Sequence, residues 1–264
     1  MSVSATRFDM HVHSDFSDGR MSVRQIEETA LSKNIGVCIA DHNEIRGSII
    51  LLNQNRIPTI PALETGSKER LEFLMYFRDP GNLEQYFIHY VEPYKRKRYF
   101  SKLKLSFLDL IPAAKECGAL VCLPHPFAPT WKGIDFNKSR KAKLLDPDFL
   151  RQIDLVEVIN GHLTDSRNFK AFLFSELFDK SVLAGSDAHI PSEIGSVYLQ
   201  FPEPKSGPDV FEILGSPIKV GKAKPFSPAG FMRTSRKVAI SHIKLFTSRK
   251  DQKAWMIKYD NGKS

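Results

Sequence analysis

Cysteine is scarce in this chain. The 264 residues contain three, Cys38, Cys117 and Cys122, an odd number with no C-x-x-C pair. That argues against a disulfide framework or a zinc knuckle and predicts small, buried, apolar side chains. Long hydrophobic runs are absent as well. None approaches the roughly 18 residues needed to cross a bilayer, so no membrane partner is expected. The first ten residues, MSVSATRFDM, lack the apolar stretch of a secretory signal, and a soluble cytoplasmic protein is expected. There is no internal repeat and no low-complexity segment. No Ser or Cys stands in a convincing nucleophile pattern.

Acidic charge runs short only at one end. The formal net charge is +8, but residues 219–264 hold twelve Lys/Arg against two Asp/Glu, which leaves residues 1–218 near −2. The basic end suggests either a solvated surface or a grip for a polyanion such as nucleic acid. The segment YKRKRYFSKLK adds a second basic run. With 42% hydrophobic and 26% charged residues, the remainder reads as an ordinary globular domain.

The chain alternates short β-rich runs with helical ones. RFDMHVH, VCIAD, PTIPALE, ERLEFLMYF, LVCLPH, DLVEVIN and SVLAGSDAH read as extended. SVRQIEETALSKNIG reads as a helix, with a Ser22–Gln25 capping box, a Val23/Ile26/Ala30 face and Gly36 available to end it. EIRGSIILLNQN, SFLDLIPAAKECGA, RNFKAFLFSELFDK and GPDVFEILGS also read as helical. GNLEQYFIHYVEPYKRKRYF reads as a helix broken near Pro93. Alternation of this kind predicts βαβ units and a mostly parallel sheet, barrel or open.

In such folds chemistry collects at the carboxyl ends of strands. Ligand-type residues fall there. His11 and His13 lie two apart on one strand face. Asp41 and His42 end VCIAD, Glu64 ends PTIPALE, His125 ends LVCLPH, and Asp187 and His189 end VLAGSDAH. A mixed His/carboxylate set suits zinc, manganese or iron. Divalent ions in such a set acidify bound water and neutralise developing negative charge, which serves phosphate-ester hydrolysis, deamination or amide hydrolysis alike.

The order H-x-H, S-D-G, D-H, a lone Glu, H-P and G-S-D-A-H resembles the polymerase and histidinol phosphatase (PHP) family of metal-dependent phosphoesterases, over about residues 7–215. The resemblance implies a distorted (β/α)7 TIM-like barrel with two or three divalent ions (Zn, Mn or Fe) at the C-terminal ends of its strands. It implies that His11, His13, Glu64 and Asp187 hold one ion, that Asp18, His42 and His189 hold another, and that His125 serves a further ion shared with Glu64. Where relatives often carry a histidine, alignment on Tyr76 places Glu72, either a ligand or a surface acid. Asp15 has no matching role, and Asp41 is expected to orient a neighbour.

The expected function is hydrolysis of a phosphate ester of a small metabolite or nucleotide, with a metal-bridging hydroxide as nucleophile. A nuclease acting on short or single-stranded nucleic acid and a non-catalytic metal-binding regulator are the alternatives. His189 and His162 are candidates to protonate the leaving oxygen. Arg20 and Arg46 are candidates to clamp phosphate, or else ordinary surface arginines. His89 and His242 are left outside the site. The expected division is a metal-dependent barrel domain over 1–221 and a basic extension over 222–264.

Overall fold

The computed structural model describes residues 3–96, 101–129, 132–134 and 146–214, and the backbone of 219–222. In chain order the elements are β1 (Ala5–Val12), α1 (Val23–Lys33), β2 (Gly36–Ile39), α2 (Arg46–Gln54), β3 (Ala62–Gly66), β4 (Glu72–Tyr76), α3 (Pro80–Tyr86), α4 (Phe107–Glu116), β5 (Leu120–Leu123), α5 (Pro147–Gln152), β6 (Leu155–Asn160), α6 (Asp165–Leu177), β7 (Ser181–Gly185), β8 (Val197–Lys205), α7 (Gly207–Ile213) and β9 (Lys219–Lys222).

Local sequence explains most of these elements. The Ser22 side chain accepts from the Gln25 backbone N–H at 3.3 Å and the Gln25 side chain accepts from Ser22 N–H at 3.0 Å, so the capping box opens α1. The helix ends two residues earlier than expected, at Asn34 in the left-handed region. Gly36 instead begins β2, where a Cβ would lie 2.5 Å from the Phe8 ring. The helix expected from Gly81 runs to its break near Pro93. α3 passes into a π turn over Phe87–Val91 and a 3-10 turn over Glu92–Tyr94 that contains Pro93.

The strands form two sheets, β2-β1-β8-β9 and β3-β4-β5-β6-β7. The β1/β2, β5/β6 and β6/β7 pairs are parallel, and the other ladders are antiparallel. The architecture is therefore mixed α/β, but the expected seven-stranded barrel is not closed by continuous ladders. β8 takes the edge of β1 at Ala5, Arg7 and Phe8. Beyond it, the ladder between β1 and the end of β7 is an isolated bridge, Val12 with Ala188, beside the Ser186 bonds to Asp9. A second bridge, His42 with Glu64, joins the end of β2 to β3. The bridges sit at the carboxyl ends of β1, β2 and β7 and at Glu64 in the middle of β3, so the sheets touch where the ligand-type residues are. The expected domain boundary after residue 221 falls inside β9, and the extension from 223 onward lies outside the described residues.

One apolar cluster draws on strands of both sheets, including Phe8, Met10, Cys38, Ala62, Leu74, Tyr76, Cys122, Leu155 and Leu183. Tyr76 reaches across this cluster and donates to the Met10 carbonyl at 2.7 Å. A second cluster, built around Phe73, Phe107 and Phe149, packs the five-stranded sheet against α4 and α5. These layers leave the polar side chains to gather at one end.

Candidate metal centre

β1 delivers His11 and, just past its end, His13. Both rings are buried, and their Nε2 atoms converge to 3.0 Å. Asp187 Oδ1 lies 3.7 and 3.2 Å from these two nitrogens, and Glu64 Oε2 lies 3.7 and 3.6 Å from them. Ligands about 2.1 Å from a tetrahedral ion sit about 3.4 Å apart, which is the scale of this quartet.

Beside it, Asp18 Oδ2 lies 3.5 Å from His42 Nε2 and 3.4 Å from His189 Nε2. A third group adjoins Glu64 on its other side, where His125 Nε2 is 3.2 Å from Glu64 Oε1 and 3.7 Å from Glu72 Oε2. The β3–β4 register pairs Gly66 with Glu72, so Glu64 and Glu72 are diagonal neighbours on one face. Glu72 is buried and belongs to the cluster, not to the surface.

Backbone strain marks two of these positions. His125 and Asp187 follow β5 and β7 with φ of 30° and 55°. Such conformations cost about 1–3 kcal/mol each in non-glycine residues and persist where surroundings enforce them. Close packing helps here, because a Cβ on Gly185 would lie 2.3 Å from the His11 Cβ.

Supporting residues fix the ring orientations. Glu157 Oε1 lies 2.9 Å from His11 Nδ1. A carboxylate only accepts, so Nδ1 carries the proton and Nε2 presents its lone pair. The other Glu157 oxygen accepts from His125 N–H at 2.8 Å and from the Asn160 amide at 2.9 Å. His189 Nδ1 likewise faces the Asp187 carbonyl at 2.7 Å, which turns its Nε2 toward Asp18. Asp41 does not orient a ring. It accepts from Ser14 N–H at 2.7 Å and from the Ser14 and Ser17 hydroxyls at 2.5 and 2.6 Å, and so holds the loop that carries Asp18.

The electrostatics are polarised. Burial opposes charge on His11, but Asp187 and Glu157 outweigh it and raise its pKa well above the usual value. Burial likewise opposes charge on His42, and Glu64 and Asp18 overcome it. His189 is raised to about 9, with Asp18 the main cause opposing burial. His13 falls to about 3 because burial, with His189 and His42 nearby, prevails over Asp187. Burial works against ionisation of Glu64 and Asp187, yet the surrounding histidines hold both carboxyls well below their ordinary range.

This donor set fits divalent cations. Glu64 Oε2 is buried and receives no hydrogen bond of proper geometry among the described residues, although His11 Nε2, His13 Nε2 and His42 Nδ1 lie 3.7, 3.6 and 2.9 Å away. A buried carboxylate oxygen without donors is costly unless a cation meets it.

The remaining candidates are placed unevenly. His162 is half-buried at the rim, 3.7 Å from Asp187 Oδ2 and, through Nε2, 3.6 Å from Glu193 Oε2. Arg20 is exposed, and its backbone N–H bonds the His189 carbonyl at 2.9 Å. Arg46 is buried, paired with Glu44 at 2.8 Å and lying 4.6 Å over the Phe16 ring. Its charge is directed at Glu44. Asp15 is exposed, and His89 pairs with Gln85 on the surface.

Four participants are new at this stage: Glu157, Asn160, Glu193 and Lys132. Lys132 Nζ lies 2.8 Å from Glu72 Oε2. Burial opposes its charge, but Glu72 and Glu64 raise its pKa. An acid in the middle of apolar DLVEVIN was the available signal for Glu157; Lys132 had none. The cysteines offer no thiolate, since burial pushes Cys38 up to about 12 and Cys122 well above its usual value.

A family model described as PHP-associated matches residues 165–214. An uncharacterised protein of Methanocaldococcus jannaschii is 29% identical over 203 residues, 75% of this chain and 71% of that one. Among solved structures, the lesion-specific endonuclease EndoQ of Pyrococcus furiosus superposes with a TM-score of 0.64 at 20% identity, over 81% of this chain and 57% of that one. The chain thus spans little more than half of that enzyme's length. A two-domain protein of Bacteroides vulgatus containing a predicted PHP-like metal-dependent phosphoesterase matches with a TM-score of 0.56 at 17% identity, over 87% of this chain and 68% of that one. At such identities the structural likeness speaks for the fold. Together with the PHP-associated match over residues 165–214 and the convergence of the H-x-H, D-H, H-P and G-S-D-A-H side chains, it makes the chain similar to PHP-like proteins in fold and in candidate site.

Proposed function

We propose that this protein is a metal-dependent phosphoesterase acting on a phosphate ester of a small metabolite or nucleotide. The observation that carries the reading is the quartet of His11, His13, Glu64 and Asp187, with ligand atoms 3.0–3.7 Å apart and the Asp18/His42/His189 group adjoining it. Bound divalent ions would supply acidified water and neutralise charge on the phosphoryl oxygens.

The chain's own residues do the rest. Glu64 and Asp187 bring negative charge to the quartet, and Glu157 keeps the His11 lone pair aimed inward. His162 stands at the rim between Asp187 and Glu193 and in this reading would give a proton to a leaving oxygen. Arg20, exposed beside the His189 strand end, would meet phosphate from the open side. Ser14 and Ser17 donate to Asp41, which suits them to a structural role, not to attack.

A nuclease is the second reading. It is favoured by the likeness to EndoQ, one structure of which holds a 27-mer duplex with an abasic lesion, and by the basic composition of residues 219–264. A screen with added Mn²⁺ or Zn²⁺ over mononucleotides, nucleoside bisphosphates, sugar phosphates and short oligonucleotides separates the two. Turnover of the small esters supports the first reading, and turnover of oligonucleotides alone supports the second. Fully metal-loaded protein inert on every class would sink both and leave a metal-binding regulator.

A further inference from the structure

The third ligand group contains a cation supplied by the chain itself. Glu72 Oε2 faces His125 Nε2 at 3.7 Å, and Lys132 Nζ lies 2.8 Å from that same oxygen. The Glu72 side chain is 4% exposed and the Lys132 side chain 30%. The ammonium therefore reaches inward to a buried acid and also borders the open side of the site.

The lysine is held in place. Its neighbour Gly133 packs so tightly that a Cβ there would lie 2.2 Å from the Ala128 carbonyl oxygen. Ile134 N–H bonds the Pro126 carbonyl at 2.8 Å, and its side chain is buried in the larger apolar cluster. Ala128 N–H bonds the His125 carbonyl at 2.9 Å. The backbone beside Lys132 is thus tied to the turn that presents His125.

We propose that Lys132 serves as the third cation of this centre: the Glu72–Lys132 pair takes the place of a third divalent ion, and the protein holds two. A divalent ion on Glu64 Oε1, His125 Nε2 and Glu72 Oε2 would share an oxygen with an ammonium, in a setting where like charges are poorly screened. The ammonium donates to the Glu72 oxygen and brings a fixed positive charge to this corner of the site. The inference rests on the metal-centre reading above.

The test counts ions. Metal-free full-length protein is titrated with Mn²⁺ and its content measured by calorimetry and elemental analysis, beside Lys132→Ala, Lys132→Gln and Lys132→Arg. Two ions in the parent protein and in Lys132→Arg are expected, with a third entering Lys132→Ala and Lys132→Gln. Thermal melting confirms that each variant is folded. Three ions in the parent protein overturns the proposal, as does a count of two in both neutral variants. Fewer than two in the parent fails the metal-centre reading itself, and the inference falls with it.

Discussion

Glu157 Oε1 sits 2.9 Å from His11 Nδ1, and its other oxygen holds the backbone N–H of His125 at 2.8 Å. One buried acid on β6 thus sets the ring of one candidate ligand on β1 and the turn of another after β5. Glu157→Gln keeps the shape and removes the charge. Losing such an outer partner typically weakens metal binding by about 10–100-fold. Competition against a chromophoric chelator measures it, and unchanged affinity would show that Glu157 is only packing.

Glu64 is central in another sense. Its Oε2 lies between the two proposed ion groups, 3.7 and 3.6 Å from His11 and His13 Nε2 and 2.9 Å from His42 Nδ1. Glu64→Gln is expected to lower metal content and to reduce phosphoesterase turnover by at least about a hundredfold, more than loss of any one histidine. A folded variant with near-normal turnover would refute the bridging role.

The metal-free protein should respond to pH with a definite sign. His189 has a folded pKa of about 9 against 6.5 unfolded. Its contribution is present below pH 6.5 and lost as pH rises through 9, at most about 3 kcal/mol. His11 and His42, also raised, act in the same direction. Asp9 and Asp41, raised by burial to about 6, stabilise fully below pH 3.8 and lose that contribution as pH rises through 6. Melting in chelator should therefore weaken from pH 6.5 to 9. Ions compete with protons for these nitrogens, so the gain in melting temperature on adding metal should widen over the same range. A gain that shrinks with pH would contradict the ligand assignment.

Gly185→Ala tests the close approach of β7 to β1. A Cβ there would lie 2.3 Å from that of His11. Overpacking of this kind costs about 1–3 kcal/mol, and metal affinity should fall with stability. An unchanged melting curve would mean that the strands separate without penalty.

Removing residues 223–264 after β9 is expected to leave hydrolysis of a small artificial phosphoester within about an order of magnitude. It should also abolish any salt-sensitive binding to single-stranded nucleic acid. Six phosphate contacts would weaken such binding roughly a thousandfold between low and moderate salt. Lost activity in a folded truncation would place the extension in the site.

The clustering of the candidate ligand residues was legible in the sequence because parallel strands put polar side chains at one end, and because two-residue spacing keeps His11 and His13 together. Glu72 was ambiguous until the β3–β4 register placed it diagonal to Glu64. Other features depend on tertiary contacts that no local pattern reports. Arg46 lies near the D-H motif, yet Glu44, two residues earlier, takes its charge. β8 was not anticipated, since Pro202 and Pro204 interrupt its pattern, and prolines belong at strand edges. Because β8 occupies the edge of β1, the expected closed barrel becomes two sheets.

The seam between those sheets gives the ions a mechanical part. His11 and His13 come from the four-stranded sheet, while Glu64 and Asp187 come from the five-stranded one or its ends. Asp18 and His42 follow β1 and β2, whereas His189 follows β7. Two ions would thus rivet one half of the molecule to the other where a lone backbone bridge stands at each crossing. The group at Glu64, Glu72 and His125 lies wholly within one half, so a lysine there forfeits no rivet. Stripping the metal should loosen amide protons first at Val12, His42, Glu64 and Ala188, with hydrogen exchange opening along the seam while β4 and β5 stay closed.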